Sequence, residues 1–165
     1  VLALGADKLS INTPALENPA LIGELAARFG SQCVVVGIDS LRDADGRWRV
    51  RSHTGDPDKT RQLGVLSLDW LQEAQSRGAG EIVLNCMASA GTRDGYDIEQ
   101  LTAARAGCDV PLIASGGAGS VRHFIDVFQA CDVDGALAAS VFHKNILPVP
   151  ALKRELAQHG IPVRL

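Results

Sequence analysis

The sequence has few aromatic side chains and no long run of charge of one sign. Aromatic residues make up 4% of the 165 positions, with one tyrosine, two tryptophans and four phenylalanines. The net charge is −3 and the pI is about 5.8. These features argue against nucleic acid or an anionic membrane surface as the main partner. A small anionic ligand would need local positive potential instead.

Paired cysteines and long apolar runs are also absent. Cys33, Cys86, Cys108 and Cys131 are widely spaced and form no C-x-x-C pair, so no metal site, redox motif or cofactor is predicted. Cysteines that adjoin apolar runs suit reduced thiols in a cytoplasmic protein. No apolar run reaches the ~18 residues of a membrane span, and no signal-peptide layout is present. The sequence therefore predicts a cytosolic protein.

What the chain does have is an alternation of short β-rich runs with amphipathic runs. With 46% hydrophobic residues and a mean hydropathy of +0.09, one globular domain is expected over residues 1–165. The paired runs are 8–11 with 21–29, 34–38 with 66–76, 81–86 with 98–106, 111–114 with 121–130, and 136–139 with 151–159. Five βα units predict an α/β fold with a parallel sheet. Residues 41–64 interrupt the second unit, and Asp45-Gly46 predicts a β-hairpin insertion there.

A glycine-rich corner follows the fourth predicted strand. Residues 111–120, PLIASGGAGS, end in the pair Gly116-Gly117 just before a helical run. Backbone amides at such a corner can hold a phosphate. The next unit ends in Ala139-Ser140, and two adjacent strand ends of this kind match the phosphate site after strands 7 and 8 of a (β/α)8 barrel. The alternative is that the glycines only make a tight turn.

An internal repeat relates the first and last units. Asp7 is followed six residues later by Thr13, and Asp134 is followed six residues later by Ser140; each precedes a helix that contains Glu-Leu-Ala. Asn12-Thr13 therefore corresponds to Ala139-Ser140. Two related sites imply a ligand with a phosphate at each end, unless two ordinary βα units merely share helix-cap chemistry.

The predicted units are too few for a closed barrel, which takes eight strands and about 250 residues. Residues 1–5 resemble the last turn of a helix, and Val1 is not an initiator methionine. We therefore expect the chain to start within a larger architecture, with three strands missing before it. An open arc invites self-association or a complementing fragment. The alternative is a flattened doubly wound sheet.

Six segments, in this order, resemble the cyclase subunit of imidazole glycerol phosphate synthase. They are GADKLSINT at 5–13, VVVGID at 34–39, GAGEI at 78–82, GYD at 95–97, ASGGAG at 114–119 and AASVFH at 138–143. The resemblance covers essentially the whole chain and corresponds to the family's last five βα units. It implies a (β/α)8 barrel of histidine biosynthesis that closes an imidazole ring with ammonia from a glutaminase partner. The substrate would carry a phosphate at each end, and the products would be imidazole glycerol phosphate and an aminoimidazole carboxamide ribotide.

The resemblance also implies roles for individual residues. Asp39 would be the catalytic carboxylate after strand 5 of the barrel, a general base for ring closure; on residues alone it would rather be a helix cap or loop anchor. Lys8 and Glu81 match the gate through which ammonia enters, although an ordinary ion pair is the alternative. Asp7 lies on the face that docks the glutaminase. The phosphate-binding residues would be Asn12 and Thr13 at one end and Gly91, Gly116, Gly117, Ala139 and Ser140 at the other.

Two departures from the family bear on activity. The second essential carboxylate of the family follows strand 1, which this chain does not contain, and Ala90 stands where the family usually has an aspartate before Gly-Thr. We expect the chain alone not to be competent. The alternative is a catalytically silent phosphate-binding half-barrel that forms homo-oligomers. The sister isomerase of the same pathway fits less well. His53 and His143 lack metal-ligand partners at useful spacing and are predicted to be structural.

Overall fold

The computed structural model of the chain describes residues 5–165. Over this range one sheet contains the strands β1 Leu9–Ile11, β2 Val34–Arg42, β3 Trp48–Ser52, β4 Arg61–Leu66, β5 Glu81–Cys86, β6 Leu112–Ser115 and β7 Gly135–Leu137. The α-helices are α1 Thr13–Glu17, α2 Ala20–Phe29, α3 Ser67–Ser76, α4 Ile98–Arg105, α5 Val121–Cys131, α6 Ser140–His143 and α7 Val149–Gln158, with a 3₁₀ turn at Ser31–Cys33. The helix end expected at residues 1–5 falls almost entirely outside the described residues.

Five of the strands run parallel and lie side by side in chain order: β1, β2, β5, β6 and β7. This confirms the predicted α/β fold with a parallel sheet. A doubly wound sheet reverses its strand order at a switch point and carries helices on both faces. The observed order of the parallel strands does not reverse, so the doubly wound alternative is wrong.

The sheet is packed against helices on one face. Along β5, Ile82, Leu84 and Cys86 are at most 1% exposed, whereas Val83 and Asn85 on the other face are only partly buried. Helices contribute the other large buried side chains of the core, Ile22, Leu71, Leu101 and Phe124. Each contributes about 1.5–3 kcal/mol by leaving water. The opposite face has no such cover within residues 5–165, which is unusual for parallel strands.

Two antiparallel strands lie between β2 and α3, where the sequence predicts a hairpin insertion. β2 continues past Ile38, the predicted end, because its last residues pair antiparallel with β3. The turn between them is held by the Asp43 carboxylate, which accepts hydrogen bonds from the amides of Asp45 and Arg47. β4 pairs with β3 in turn and was not predicted. Its residues are mostly exposed, so the apolar periodicity that marks a strand is absent.

The two outermost parallel strands continue in the same way. β1 leads through Asn12 into the short helix α1, and β7 leads through Ala139 into the short helix α6, with similar backbone angles at the two caps: φ −129° and ψ −95° at Asn12, φ −116° and ψ −67° at Ala139. A longer helix follows each, α2 and α7. No helix among residues 5–165 is long and apolar enough to cross a membrane.

Candidate active site

The carboxyl ends of the parallel strands carry a row of residues in register. Asp39 on β2 is opposite Asn85 on β5, Asn85 is opposite Ser115 on β6, and Ser115 is opposite Leu137 on β7. Directly paired residues point to the same face of a sheet, which here is the face without helices. The strand ends of parallel α/β proteins are the usual place for ligands. The candidate site therefore lies along this edge.

Asp39 is the buried carboxylate of the site, with 7% of its surface exposed. Three side-chain donors from three separate segments surround it. Asn12 Nδ2 and Thr54 Oγ1 both donate to Oδ2, with the first at 2.7 Å, and Asn85 Nδ2 donates to Oδ1 at 2.7 Å. An ionised carboxylate is acceptor-only, with about four lone-pair positions. Three are used by donors within residues 5–165, which leaves one acceptor position on Oδ1 without a partner in this part of the chain.

A buried polar cluster fixes the strand end immediately behind Asp39. The hydroxyls of Ser40 and Ser67 are 2.7 Å apart, and Gln100 Nε2 donates to Ser40 Oγ. All three residues are at most 1% exposed. The cluster joins β2 to α3 and α4 on the helix-covered face. It holds the backbone on which Asp39 is mounted, and it was missed by the sequence analysis because its members are far apart in the chain.

The end of β1 is tied to the loop after β3. The side-chain amide of Asn12 donates a hydrogen bond to Asp39, as described above. Thr13 Oγ1 accepts a hydrogen bond from the backbone amide of His53 at 3.0 Å. Both residues are predicted to bind one phosphate. In this structure their side chains contact protein partners, while Asn12 Oδ1 is buried and has no hydrogen-bond partner within residues 5–165. The phosphate role of this pair stays a prediction.

The residues predicted to bind the second phosphate come together at one cavity. Gly91, Gly116, Gly117, Ala139 and Ser140 all line a cavity of about 210 Å³, together with Asn85, Ala90, Ser115, Ala118, Leu137 and Ala138. These residues belong to the carboxyl ends of β5, β6 and β7 and to the segments that follow them. Sequence separation between Gly91 and Ser140 is large, so their convergence is produced by the parallel order of the strands. That this cavity binds phosphate remains a prediction.

Close backbone packing makes glycine necessary at this corner. A Cβ atom on Gly117 would lie 1.9 Å from the carbonyl oxygen of Gly95, and one on Gly116 would lie 2.7 Å from that of Cys86. Both residues also have positive φ, +109° and +97°. The amide of Gly95 donates to the carbonyl of Gly117 at 2.9 Å, which joins the loops after β5 and β6. The glycine pair is therefore required by the structure whether or not an anion binds.

The predicted gate residues lie near the opposite edge of the uncovered face. Lys8, just before β1, forms an ion pair with Glu81, the first residue of β5, across the intervening strand β2. Lys8 is about half exposed, with 49% of its side chain accessible, whereas Glu81 is 16% exposed. Asp7 is exposed. The structure thus brings Lys8 and Glu81 together, and their roles in ammonia passage and docking stay predictions.

Thr54 and Asn85 are site residues that the sequence analysis did not assign. Asn85 had one usable signal, since it is a polar residue on the face of β5 without helices, directly opposite Asp39. Thr54 had none, because its contact depends on how the loop after β3 folds back. Among residues 5–165, no group of three or more His, Cys, Asp or Glu is arranged to hold a metal. His53 contacts Ser52 and Glu17 instead.

The cysteines of the described region are all free thiols. Burial raises the pKa of the Cys86 thiol to about 12, with smaller contributions from Asp97 and Cys131. Burial also raises the pKa of Cys108 and of Cys131. These thiols are protonated at neutral pH and are poor nucleophiles. These three thiols are therefore not candidates for a nucleophile at neutral pH.

The fold and the site define an α/β protein in which consecutive βα units place a buried carboxylate and a glycine-lined cavity at the carboxyl ends of parallel strands. A family model described as histidine biosynthesis protein matches residues 1–148. The chain belongs to this family.

Individual relatives give a closer comparison. The chain is 65% identical over 164 residues to the imidazole glycerol phosphate synthase subunit HisF of Xylella fastidiosa strain M12, an alignment that covers 99% of this chain and 64% of the relative. The corresponding subunits of Xanthomonas euvesicatoria pv. vesicatoria and Xanthomonas campestris pv. campestris strain B100 are 65% and 64% identical with the same coverage. The chain thus spans a little less than two thirds of the length of these relatives.

Proposed function

We propose that this chain forms the larger part of an imidazole glycerol phosphate synthase cyclase. The observation that carries the proposal is Asp39, a buried carboxylate with one open acceptor position, in a chain 65% identical to HisF subunits. The substrate would be a ribosyl compound with a phosphate at each end. Ammonia would be incorporated, and imidazole glycerol phosphate and aminoimidazole carboxamide ribotide would be released.

In this mechanism Asp39 acts as a general base. Oδ1 takes a proton from the substrate during ring closure, and the amides of Asn12 and Asn85 hold the carboxylate in place. The glycine-lined cavity binds one phosphate through backbone amides and the Ser140 hydroxyl. Asn12 and Thr13, at the equivalent position of the repeat, bind the other. A ligand fixed at both ends keeps its reacting centre over Asp39.

Five parallel strands supply part of the barrel in this proposal, corresponding to the last five βα units of the family. Their chain-order arrangement and helices on one face support it. The remaining strands would come from another segment of polypeptide, and with them a second carboxylate for the proton transfers that Asp39 cannot perform alone. Ala90, which stands where the resemblance implies an aspartate, lines the cavity. The five-unit chain by itself is therefore proposed to be inactive, and the cytoplasm is its proposed location.

The proposed partner is a glutaminase subunit that delivers ammonia. Lys8 and Glu81 would form the gate at the amino-terminal edge of the sheet, and Asp7 would contact the glutaminase. The ion pair between Lys8 and Glu81 supports this assignment because a charged pair on the inner face obstructs passage and can open without disturbing the core. Because the ion pair is partly exposed, it contributes little to the stability of the fold, so opening it costs little.

A second candidate is a catalytically silent phosphate-binding half-barrel that self-associates. The uncovered sheet face favours it: Val83 and Ile113 are only partly buried there, and Leu137 is 46% exposed. A second copy could cover this face and satisfy the sheet edges. Light scattering tests this candidate, since a stable dimer or larger assembly supports it and a monomer contradicts it.

Complementation tests the cyclase proposal. The chain would be combined with the first third of a HisF relative and supplied with substrate and ammonium, and imidazole glycerol phosphate would be measured. Turnover is expected in the combined sample, and Ala90→Asp is expected to raise it. Asp39→Asn should abolish turnover, whereas the exposed Asp45→Asn should leave it unchanged. A complex that forms a closed barrel but shows no turnover, even with Ala90→Asp, would contradict the proposal.

A further inference from the structure

We propose that Arg93 supplies the positive charge for an anion in the glycine-lined cavity and favours a phosphate dianion over a monoanion. This inference rests on the proposed phosphate site. A protein with a net charge of −3 needs local positive potential to bind a small anion. None of the residues that line the cavity is charged. The cation therefore has to come from the rim.

Arg93 reaches that rim through Ser140. It lies in the loop between β5 and α4, two residues after Gly91, and its Nε is 3.4 Å from Ser140 Oγ. Ser140 and Gly91 both line the cavity. The guanidinium thus lies beside a hydroxyl that faces the cavity, from a loop whose own glycine forms part of the wall. An oxyanion bound to Ser140 would be within range of this charge.

The backbone of Arg93 is held firmly in an unfavourable conformation. Its φ is +64°, in the left-handed region that non-glycine residues rarely occupy. Gly119 packs so closely that a Cβ atom there would lie 2.2 Å from the Arg93 carbonyl oxygen. The next residues are anchored as well, since Gly95 donates to Gly117 and the Tyr96 hydroxyl donates to the Leu137 carbonyl at 3.1 Å. A backbone kept in a strained conformation by its surroundings points to a functional requirement at this position.

The guanidinium of Arg93 is also not committed to a protein carboxylate. None of the ion pairs found within residues 5–165 includes it, whereas Arg42, Arg49, Arg105 and Arg122 each pair with an acidic side chain. The neighbouring Asp94 is exposed. Arginine presents five N–H donors in a planar fork that suits phosphate oxygens. Its donors are therefore available to a ligand.

Titration with inorganic phosphate tests the role of this charge. The Kd for phosphate would be measured by calorimetry for the whole chain and for Arg93→Gln, Arg93→Lys and Arg93→Gly. Each would be measured at low and high salt, and at pH values below and above the second pKa of phosphate. Arg93→Gln is expected to weaken binding about tenfold, as for the loss of one charge-assisted hydrogen bond. The variant should also lose most of the preference for the dianion and part of the salt dependence. Arg93→Lys should recover part of the affinity.

Arg93→Gly separates charge from backbone strain. Glycine accepts a positive φ, so this variant should be at least as stable as the parent, yet it should bind phosphate as weakly as Arg93→Gln. The matched control is Arg122→Gln on α5, where an exposed arginine pairs with Asp126, and its Kd should not change. Unchanged binding in Arg93→Gln and Arg93→Gly would overturn the inference while the phosphate site stands. No phosphate binding by the parent chain would overturn both.

Discussion

The two halves of the candidate site, one around Asp39 and one around Gly117, differ in whether side chains or backbone form them. Around Asp39, side chains make the site: Asn12, Thr54 and Asn85 donate to one carboxylate, and a buried serine and glutamine cluster lies behind it. Around Gly117, the backbone makes the site, with the loops after β5 and β6 packed so closely that side chains would not fit. We propose proton transfer as the role of the Asp39 half and anion binding as the role of the glycine half.

This difference predicts how each half responds to mutation. A network of side chains loses one hydrogen bond at a time, so single substitutions should have graded effects. A corner made of packed backbone should fail at once when one Cβ atom is added. Removing a side-chain donor from Asp39 should lower stability and leave phosphate affinity unchanged. Removing a side-chain hydroxyl from the glycine half should lower phosphate affinity with little loss of stability.

Gly117→Ala should have the largest effect. The new Cβ would collide with the Gly95 carbonyl, and alanine disfavours a φ of +109°, so the loops after β5 and β6 must separate. We expect a loss of about 2–4 kcal/mol in the free energy of unfolding, the range of severe backbone and packing changes, and no measurable phosphate binding at the glycine-lined cavity. Urea unfolding and phosphate titration measure the two effects.

The control for this substitution is Gly46→Ala in the turn between β2 and β3. Gly46 also has a positive φ, +78°, but an added Cβ would meet nothing within 4 Å. Only the conformational cost of about 1–2 kcal/mol should appear, and phosphate binding should persist. Equal effects of the two substitutions would show that close packing at Gly117 is not the cause.

Thr54→Val should affect the Asp39 half alone. Valine keeps the shape of threonine but removes one of the three donors to the carboxylate. The free energy of unfolding should fall by about 1 kcal/mol, the usual contribution of one such hydrogen bond, and phosphate affinity should not change because Thr54 does not line the cavity. A large loss of phosphate binding would mean that the two halves are not independent.

Ser140→Ala should give the opposite pattern. Its hydroxyl lines the cavity and accepts from Arg93 only at 3.4 Å, so its removal costs the fold little. Phosphate should bind several-fold more weakly, as for one lost hydrogen bond to the ligand. Thermal unfolding and calorimetry on the same sample check both statements. An unchanged Kd would remove Ser140 from the anion site.

The smallest effect concerns pH and the antiparallel strands beside Asp39. The Arg49 side chain, helped by the Arg47 amide, lowers the pKa of Asp43 below its ordinary value of 3.8. A lowered pKa in the folded state contributes stability above the unfolded value and loses it as the pH falls through the folded value. Asp43→Asn should therefore be less stable than the parent at neutral pH, with the difference shrinking in acid below about pH 4. A difference independent of pH would contradict this cause.

The same contrast explains what could be predicted from the sequence. The parallel βα units follow from periodicity, and their predicted helices end within about two residues of those observed, as with α3 and α5. The glycine corner was also visible, because Gly116-Gly117 and Ala139-Ser140 are local patterns. Strand β4 was not, since its exposed residues carry no apolar alternation.

The partners of Asp39 and the neighbour of Ser140 could not be predicted in the same way. Thr54 approaches Asp39 only because two antiparallel strands fold the chain back, and Arg93 approaches Ser140 across 47 positions in sequence. Such contacts depend on the tertiary arrangement of loops, which no periodic pattern encodes. The prediction of Asp39 itself came from family resemblance, because an aspartate after a strand is ordinarily a cap.

Amide NMR tests the proposed binding of phosphate at the glycine corner. Inorganic phosphate would be titrated into isotope-labelled chain while the backbone amide signals are followed. We expect the signals of Gly91, Gly116, Gly117 and Ser140 to move together with one Kd, and the signals of Gly46 and Gly64 in the antiparallel strands to stay in place. Absence of shifts at the corner, or shifts confined to exposed arginines elsewhere, would show that phosphate does not bind there.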